Sequence, residues 1–204
     1  VPASEADPVP TSHPFDIVAI AASAGGMSAL QTVLGELSAD FPAAIVVVQH
    51  LDPRHRSLLA EILSRRCRLL VSEASEGDSL KVGHVYIAPP NRHLLVNSDG
   101  TLTLSESELV HFVRPSADLL FESVAGSHKE RAIAVVLTGT GNDGSMGVRA
   151  VKKMGGTVIA QDQDSSEFFG MPGGAIATGD VDFVLPLRDI APALVTLVTA
   201  GDKP

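Results

Sequence analysis

DIVAIAASAGGMSALQTVLGEL, residues 16–37, is the stretch on which the fold reading turns. Ile17 to Ala22 is an unbroken apolar run, suited in length to a strand buried on both faces. The run stops at Ser23, and Ala24-Gly25-Gly26 turns the chain. Beyond the turn, Met27, Leu30, Val33, Leu34 and Leu37 recur at helical spacing. Strand, glycine-rich loop and helix in succession is the building unit of a parallel α/β sheet.

The pattern returns along the chain. Ala43 to His50 reads as a second buried strand, and Ser57 to Arg66 as a helix with Leu58, Leu59, Ile62 and Leu63 on one side. Ala132 to Leu137 is a third buried strand, followed by the glycine-rich loop Thr138 to Gly144 and a helix at 145–154. Thr157 to Ala160 and Val181 to Leu185 read as later strands, and 188–199 as a last helix. In the middle, Leu69 to Glu73, Val82 to Ala88, Leu94 to Asn97 and Thr101 to Ser105 are short strand-like pieces. Asp99-Gly100 is a hairpin signal, so these pieces are expected to form a small antiparallel extension before a helix at Ser116 to Gly126. The predicted fold is α/β: a doubly wound, mostly parallel sheet in Rossmann-like three layers with a hairpin extension. Residues 1–14, rich in Pro, Ser and Ala, read as a linker or tail, 15–199 as one domain and 200–204 as a short tail. A start at Val1 fits a piece excised from a larger protein.

Composition removes several function classes. Acids outnumber bases 24 to 15, and there is one Tyr and no Trp. A nucleic-acid binder needs a cationic surface and often stacking aromatics, so none is expected as a partner. Cys67 is the single cysteine, which excludes an internal disulfide framework and a cysteine-rich zinc module. No apolar run approaches the ~20 residues that span a bilayer, so no membrane insertion is expected, and the composition suits a cytoplasmic protein.

Three polar residues follow three of the buried strands: Ser23, His50 and Asp143. In an open parallel sheet such ends face one edge, which would gather a hydroxyl, an imidazole and a carboxylate in one crevice. They are the inventory of a nucleophile, a base and an orienting acid. Each also has a plainer use: Ser23 as a helix cap, Ser23 to Gly26 as a phosphate-binding turn, His50 as an edge histidine and Asp143 as a turn residue. If the three act together, Ala24 N–H and Thr140 N–H are the backbone donors placed to hold an oxyanion.

The motifs carry a resemblance. Ala22 to Gly26, Val48-Gln49-His50, Val85 to Pro90, Leu137 to Gly144, Ala160-Gln161-Asp162, Gly170-Met171-Pro172 and Ala175-Ile176-Ala177 occur in one order. In this the chain resembles the catalytic domain of the chemotaxis protein-glutamate methylesterases, the CheB family, over residues 15–199. The resemblance implies hydrolysis of γ-glutamyl methyl esters on chemoreceptor helices with release of methanol, and deamidation of receptor glutamines. It places the catalytic serine, histidine and aspartate on Ser23, His50 and Asp143. It implies no metal or organic cofactor, and a receiver domain or a methyltransferase module elsewhere in the full-length protein. The chain departs from the family pattern at Ala24, where Thr is usual, at Thr140, where Met is common, and at Gly173-Gly174, which follow Met171-Pro172. A serine hydrolase or amidase with another carbonyl substrate, or a noncatalytic signalling module on the same fold, stays open.

Further side chains are weaker candidates. Met171 and Pro172 are expected to line the cleft, or else to be a packed Met and a turn Pro. Arg114 is expected to meet an acidic receptor surface, or to be structural. His84, His93 and His111 lack metal spacing and read as structural or surface groups. Residues 50–68 hold Arg54, Arg56, Arg65, Arg66 and Arg68 against only Asp52 and Glu61, inside a chain of net charge −9. Arg54 and Arg56, directly after His50, are expected to flank the cleft and receive an acidic substrate helix, or the segment is a solvated helix face.

Overall fold

A computed structural model describes residues 15–50 and 57–200. In chain order the strands are β1 (Ile17–Ala22), β2 (Ala44–Gln49), β3 (Leu70–Glu73), β4 (His84–Ile87), β5 (His93–Val96), β6 (Leu102–Ser105), β7 (Ala132–Val136), β8 (Thr157–Gln161) and β9 (Phe183–Leu185). The helices are α1 (Gly26–Glu36), α2 (Leu59–Ser64), α3 (Ala117–His128), α4 (Ser145–Lys153), α5 (Gly170–Ala177) and α6 (Leu187–Thr199). Among the described residues one seven-stranded sheet runs β3-β4-β2-β1-β7-β8-β9, and all its pairings are parallel. A separate antiparallel hairpin pairs β5 with β6.

The sheet is the middle of three layers. Every residue of β1, β2 and β7 is buried, so these strands need apolar side chains on both faces. Val18, Ile20, Ile45 and Val47 face α1, α2 and α6 through Leu30, Leu34, Leu63, Ile190 and Leu194. Ile17, Ala19, Val46 and Val48 face α3, α4, α5 and the hairpin through Phe121, Val124, Val148, Met171 and Leu94. From β1 the chain builds outward through β2 to β4 and β3. It then returns to β7 on the other side of β1 and continues to β8 and β9. The switch point therefore lies at the carboxyl ends of β1 and β7, where open α/β sheets hold their ligands.

Two expectations change. The middle of the chain is not all antiparallel extension: β3 and β4 join the main sheet in parallel, and only β5 and β6 form a hairpin. Gly83 N–H bonds Ala43 O at 3.1 Å and Ala88 N–H bonds Val47 O at 2.9 Å, which locks β4 beside β2. α5 is absent from the sequence reading because GMPGGAIA has poor helix propensity. Packing decides there. Pro172 sits in the first turn, where a missing N–H costs no helix bond, and Met171 is wholly buried beneath the neighbouring loop. Among the described residues no helix is long and apolar enough to cross a membrane.

Candidate active site

β1 and β2 run in parallel register with Ala22 opposite Gln49. Ser23 and His50 are therefore the next residues on adjacent strands, about 4.8 Å apart across the sheet. Short bonds fix both backbones. Ser23 N–H bonds Thr138 O at 3.0 Å, and His50 N–H bonds Ala22 O at 3.1 Å. The Gln49 amide then donates to the carbonyls of Ser23 (2.7 Å) and His50 (3.1 Å) at once. One buried side chain thus ties the hydroxyl-bearing residue to the imidazole-bearing one. Gly26 makes room for it, since a Cβ there would collide with Gln49 Oε1.

Asp143 arrives from the loop after β7. Its Oδ2 lies 2.9 Å from His50 Nε2. The carboxylate also sits on the amino end of α3: Ala117 N–H reaches Oδ2 at 2.6 Å, Asp118 N–H reaches Oδ1 at 3.2 Å, and the Ser116 hydroxyl donates to Oδ1 at 2.9 Å. Burial alone would push this carboxyl up. The His50 hydrogen bond, the Ala117 N–H, the charge of His50 and the Asp118 N–H outweigh it and hold Asp143 below the ordinary carboxylate range. The positive end of α3 favours the anion in the same direction. With Nε2–H given to Asp143, Nδ1 is the ring nitrogen left without a proton, and it is the one able to take one.

Of the expected oxyanion donors, Ala24 N–H and Thr140 N–H bond no acceptor among the described residues. Both belong to loops at the carboxyl edge, and Gly139 brings those loops together. A Cβ at 139 would lie 2.8 Å from Ser23 Cβ and run into Met171 Sδ. A cleft of about 370 Å³ opens beside Ser23, lined by Gly25, Gly26, Met27, Ser28, Gln31 and Gln49. Among the described residues no three His, Cys, Asp or Glu side chains gather to hold a metal ion.

The remaining candidates are placed as follows. Met171 and Pro172 are buried, Met171 completely, and Met171 Sδ packs against Gly139. Arg114 is a clamp: Nε and Nη2 donate to Asn91 Oδ1, and Nη1 donates to Glu106 O and Ser107 O. Those bonds commit its guanidinium to the loop before α3. Arg54 and Arg56 lie outside the described residues. Arg65, Arg66 and Arg68 are exposed, but they follow α2 and lead into the start of β3. That is the amino edge of the sheet, opposite the cleft. His84 stacks on Tyr86 with ring centroids 4.2 Å apart and is structural. Cys67 points its Sγ at Leu34 O, and burial pushes its thiol up.

Residues not singled out in the sequence complete the site. Gln49 and Gln161 each end an apolar strand with a buried amide. Gln161 Oε1 accepts Thr138 N–H at 2.8 Å and holds the loop after β7. A polar residue closing an otherwise apolar strand was the available signal. Asp118 is a second buried carboxylate. Its Oδ1 accepts Gly147 N–H at 2.7 Å, and its Oδ2 lies 3.2 Å from His111 Nε2. Burial, reinforced by the nearby Asp143 charge, raises it, and the Gly147 N–H, His111 and the Gly144 N–H only partly offset this. A raised carboxyl penalises the charged native state at neutral pH and ceases to do so once protonated. Asp118→Asn keeps an acceptor for Gly147 and removes that charge. It should raise the melting temperature by about 2 °C at pH 7.5. The gain should vanish as the pH falls through the carboxylate range, and a constant difference in melts at pH 7.5 and pH 4 would contradict this origin.

The chain is similar to known proteins over nearly its whole length. The family model described as CheB methylesterase matches residues 18–194. A Moorella thermoacetica protein named protein-glutamate methylesterase/protein-glutamine glutaminase is 43% identical over 98% of this chain and 48% of its own length. A Cupriavidus metallidurans protein of the same name, numbered 2, is 43% identical over 99% of this chain and 59% of its own length. The chain therefore spans about half the length of these curated relatives. The crystal structure of the Thermotoga maritima CheB methylesterase catalytic domain superposes with a TM-score of 0.87 at 41% identity, covering 90% of this chain and 99% of that one. With the family model, relatives at 43% identity and a solved structure of the same fold all in agreement over nearly the whole chain, the protein belongs to the CheB methylesterase family.

Proposed function

We propose that this protein is a protein-glutamate methylesterase that hydrolyses γ-glutamyl methyl esters on the cytoplasmic helices of chemoreceptors. The observation that carries the reading is the 2.9 Å contact of His50 Nε2 with Asp143 Oδ2, with Ser23 next to His50 on the adjoining strand. His50 Nδ1 takes the proton from Ser23 Oγ as that oxygen attacks the ester carbonyl. The carbonyl oxygen becomes an oxyanion, and the Ala24 and Thr140 N–H groups hold it. Imidazolium, steadied by Asp143, returns the proton to the departing methoxy oxygen and methanol leaves. Water deprotonated by His50 then attacks the acyl-serine, the proton passes to Ser23 Oγ, and the receptor leaves with a glutamate side chain in place of the ester. The same steps with ammonia as leaving group convert a receptor glutamine to glutamate, the second activity in the relatives' names.

The test is a methanol assay with the full-length protein and methylated receptor cytoplasmic fragments, run beside a generic aryl ester. One methanol per glutamate formed is expected. Turnover of the aryl ester with no methanol from the receptor overturns the substrate and points to another carbonyl compound.

A further inference from the structure

We infer that Ser116 is a positioning residue of this site and that His93 anchors it, an inference that rests on the triad reading above. An ionised carboxylate offers about four lone-pair directions. Asp143 fills them all: Oδ1 takes Ser116 Oγ–H and Asp118 N–H, and Oδ2 takes Ala117 N–H and His50 Nε2–H. Two donors on each oxygen fix the carboxylate plane, and with it the direction in which Oδ2 meets His50. Three of the four donors come from residues 116–118, the first of which is the cap of α3. Ser116 is the only side chain among those three donors.

The hydroxyl of Ser116 is itself held. It donates to Asp143 and accepts Leu119 N–H at 3.4 Å, and the residue is fully buried. Its backbone N–H lies ahead of the helix and goes to His93 Nδ1 at 3.1 Å. For Nδ1 to accept, the ring proton must sit on Nε2, and that atom lies 3.0 Å from Glu108 O. Both nitrogens of His93 are thus used by one neutral tautomer, in a ring with no exposure. An unbroken line of bonds runs from the hairpin strand β5 through His93 and Ser116 to Asp143 and His50. The other titratable groups at this point are Asp118 on α3 and His111, which meet each other rather than Ser116. The hairpin, which lies outside the main sheet, therefore sets the orientation of the acid on the loop after β7.

Without the Ser116 hydroxyl, Oδ1 keeps one weak donor at 3.2 Å and the carboxylate turns about its Cβ–Cγ bond. The His50 contact lengthens, and the effect falls on the chemical step rather than on binding. The test uses Ser116→Gly in the full-length protein, because glycine replaces serine at a helix cap at small cost. The readouts are kcat, KM and the low-field proton resonance of His50 Nε2–H in the resting enzyme. A kcat lowered about tenfold, KM within about twofold and a shifted resonance are expected. His93→Asn, which keeps an acceptor for Ser116 N–H, should retain more kcat than His93→Leu. This pair also serves if the glycine variant fails to fold. Unchanged kcat and resonance in Ser116→Gly, or equal losses in the two His93 variants, overturn the inference. Those results are separable from failure of the triad, which shows as turnover surviving in Ser23→Ala.

Discussion

Ser23→Ala is expected to lower turnover on the order of 10⁶-fold while leaving the fold intact. The two halves of that statement have different origins. The structural bonds at this position are backbone bonds: N–H to Thr138 O, and the carbonyl shared by Gly26 N–H and Gln49. Alanine keeps them all. The Ser23 hydroxyl makes no hydrogen bond among the described residues, so its removal leaves no buried group unpaired. The melting temperature should stay within about 2 °C, since surface-type changes fall within about 0.5 kcal/mol. The residual rate should match what the oxyanion donors alone supply. A variant with near-normal kcat removes Ser23 from the chemistry altogether.

Asp143→Asn is expected to cost on the order of 10³- to 10⁴-fold in kcat, and unlike Ser23→Ala it should also destabilise. Four donors converge on this side chain, two of them backbone N–H groups that cannot turn away. Whichever way the amide is placed, its NH₂ faces either Ala117 N–H or Asp118 N–H. A buried donor left without an acceptor costs about 1–3 kcal/mol. The charge opposite imidazolium is lost as well, so proton transfer from Ser23 is no longer stabilised. In the wild type the carboxyl lies below its ordinary range, so its stabilising contribution is present above the unfolded-state value and is lost as pH falls through the folded one. The stability gap between wild type and Asp143→Asn should therefore be widest near neutral pH and narrow as the pH falls below the ordinary carboxylate range, as a series of thermal melts run downward from pH 7 will show. A kcat within tenfold of wild type would contradict the role given to Asp143.

Much of this was legible in the residues because local signals were consistent. The apolar runs at Ile17–Ala22, Ala44–Gln49 and Ala132–Val136 each end in a polar or glycine-rich loop, and parallel strand ends share one edge. The same signals put Ser23, His50 and Asp143 at one sheet edge, where the structure also has them. What stayed hidden was decided by partners far along the chain. α5 forms against the propensity of GMPGGAIA because its buried Met171 packs against Gly139. β3 and β4 look like hairpin pieces until their ladders with each other and with β2 show the parallel pairing. Arg114 carries both a docking and a structural reading from sequence, and only the structure shows its bonds to Asn91, Glu106 and Ser107. Gln49, Ser116 and His93 act through hydrogen bonds to residues up to 27 positions away, which no local pattern encodes.

The most direct test of Ser23 as nucleophile is covalent labelling of the full-length protein with an alkyl fluorophosphonate, read by peptide mass spectrometry. One phosphonyl adduct on the peptide carrying Ser23 is expected. It should be absent from Ser23→Ala and slowed by orders of magnitude in Asp143→Asn. Methanol release from methylated receptor by a protein in which Ser23 stays unlabelled, or labelling at a different residue that abolishes activity, would contradict the assignment.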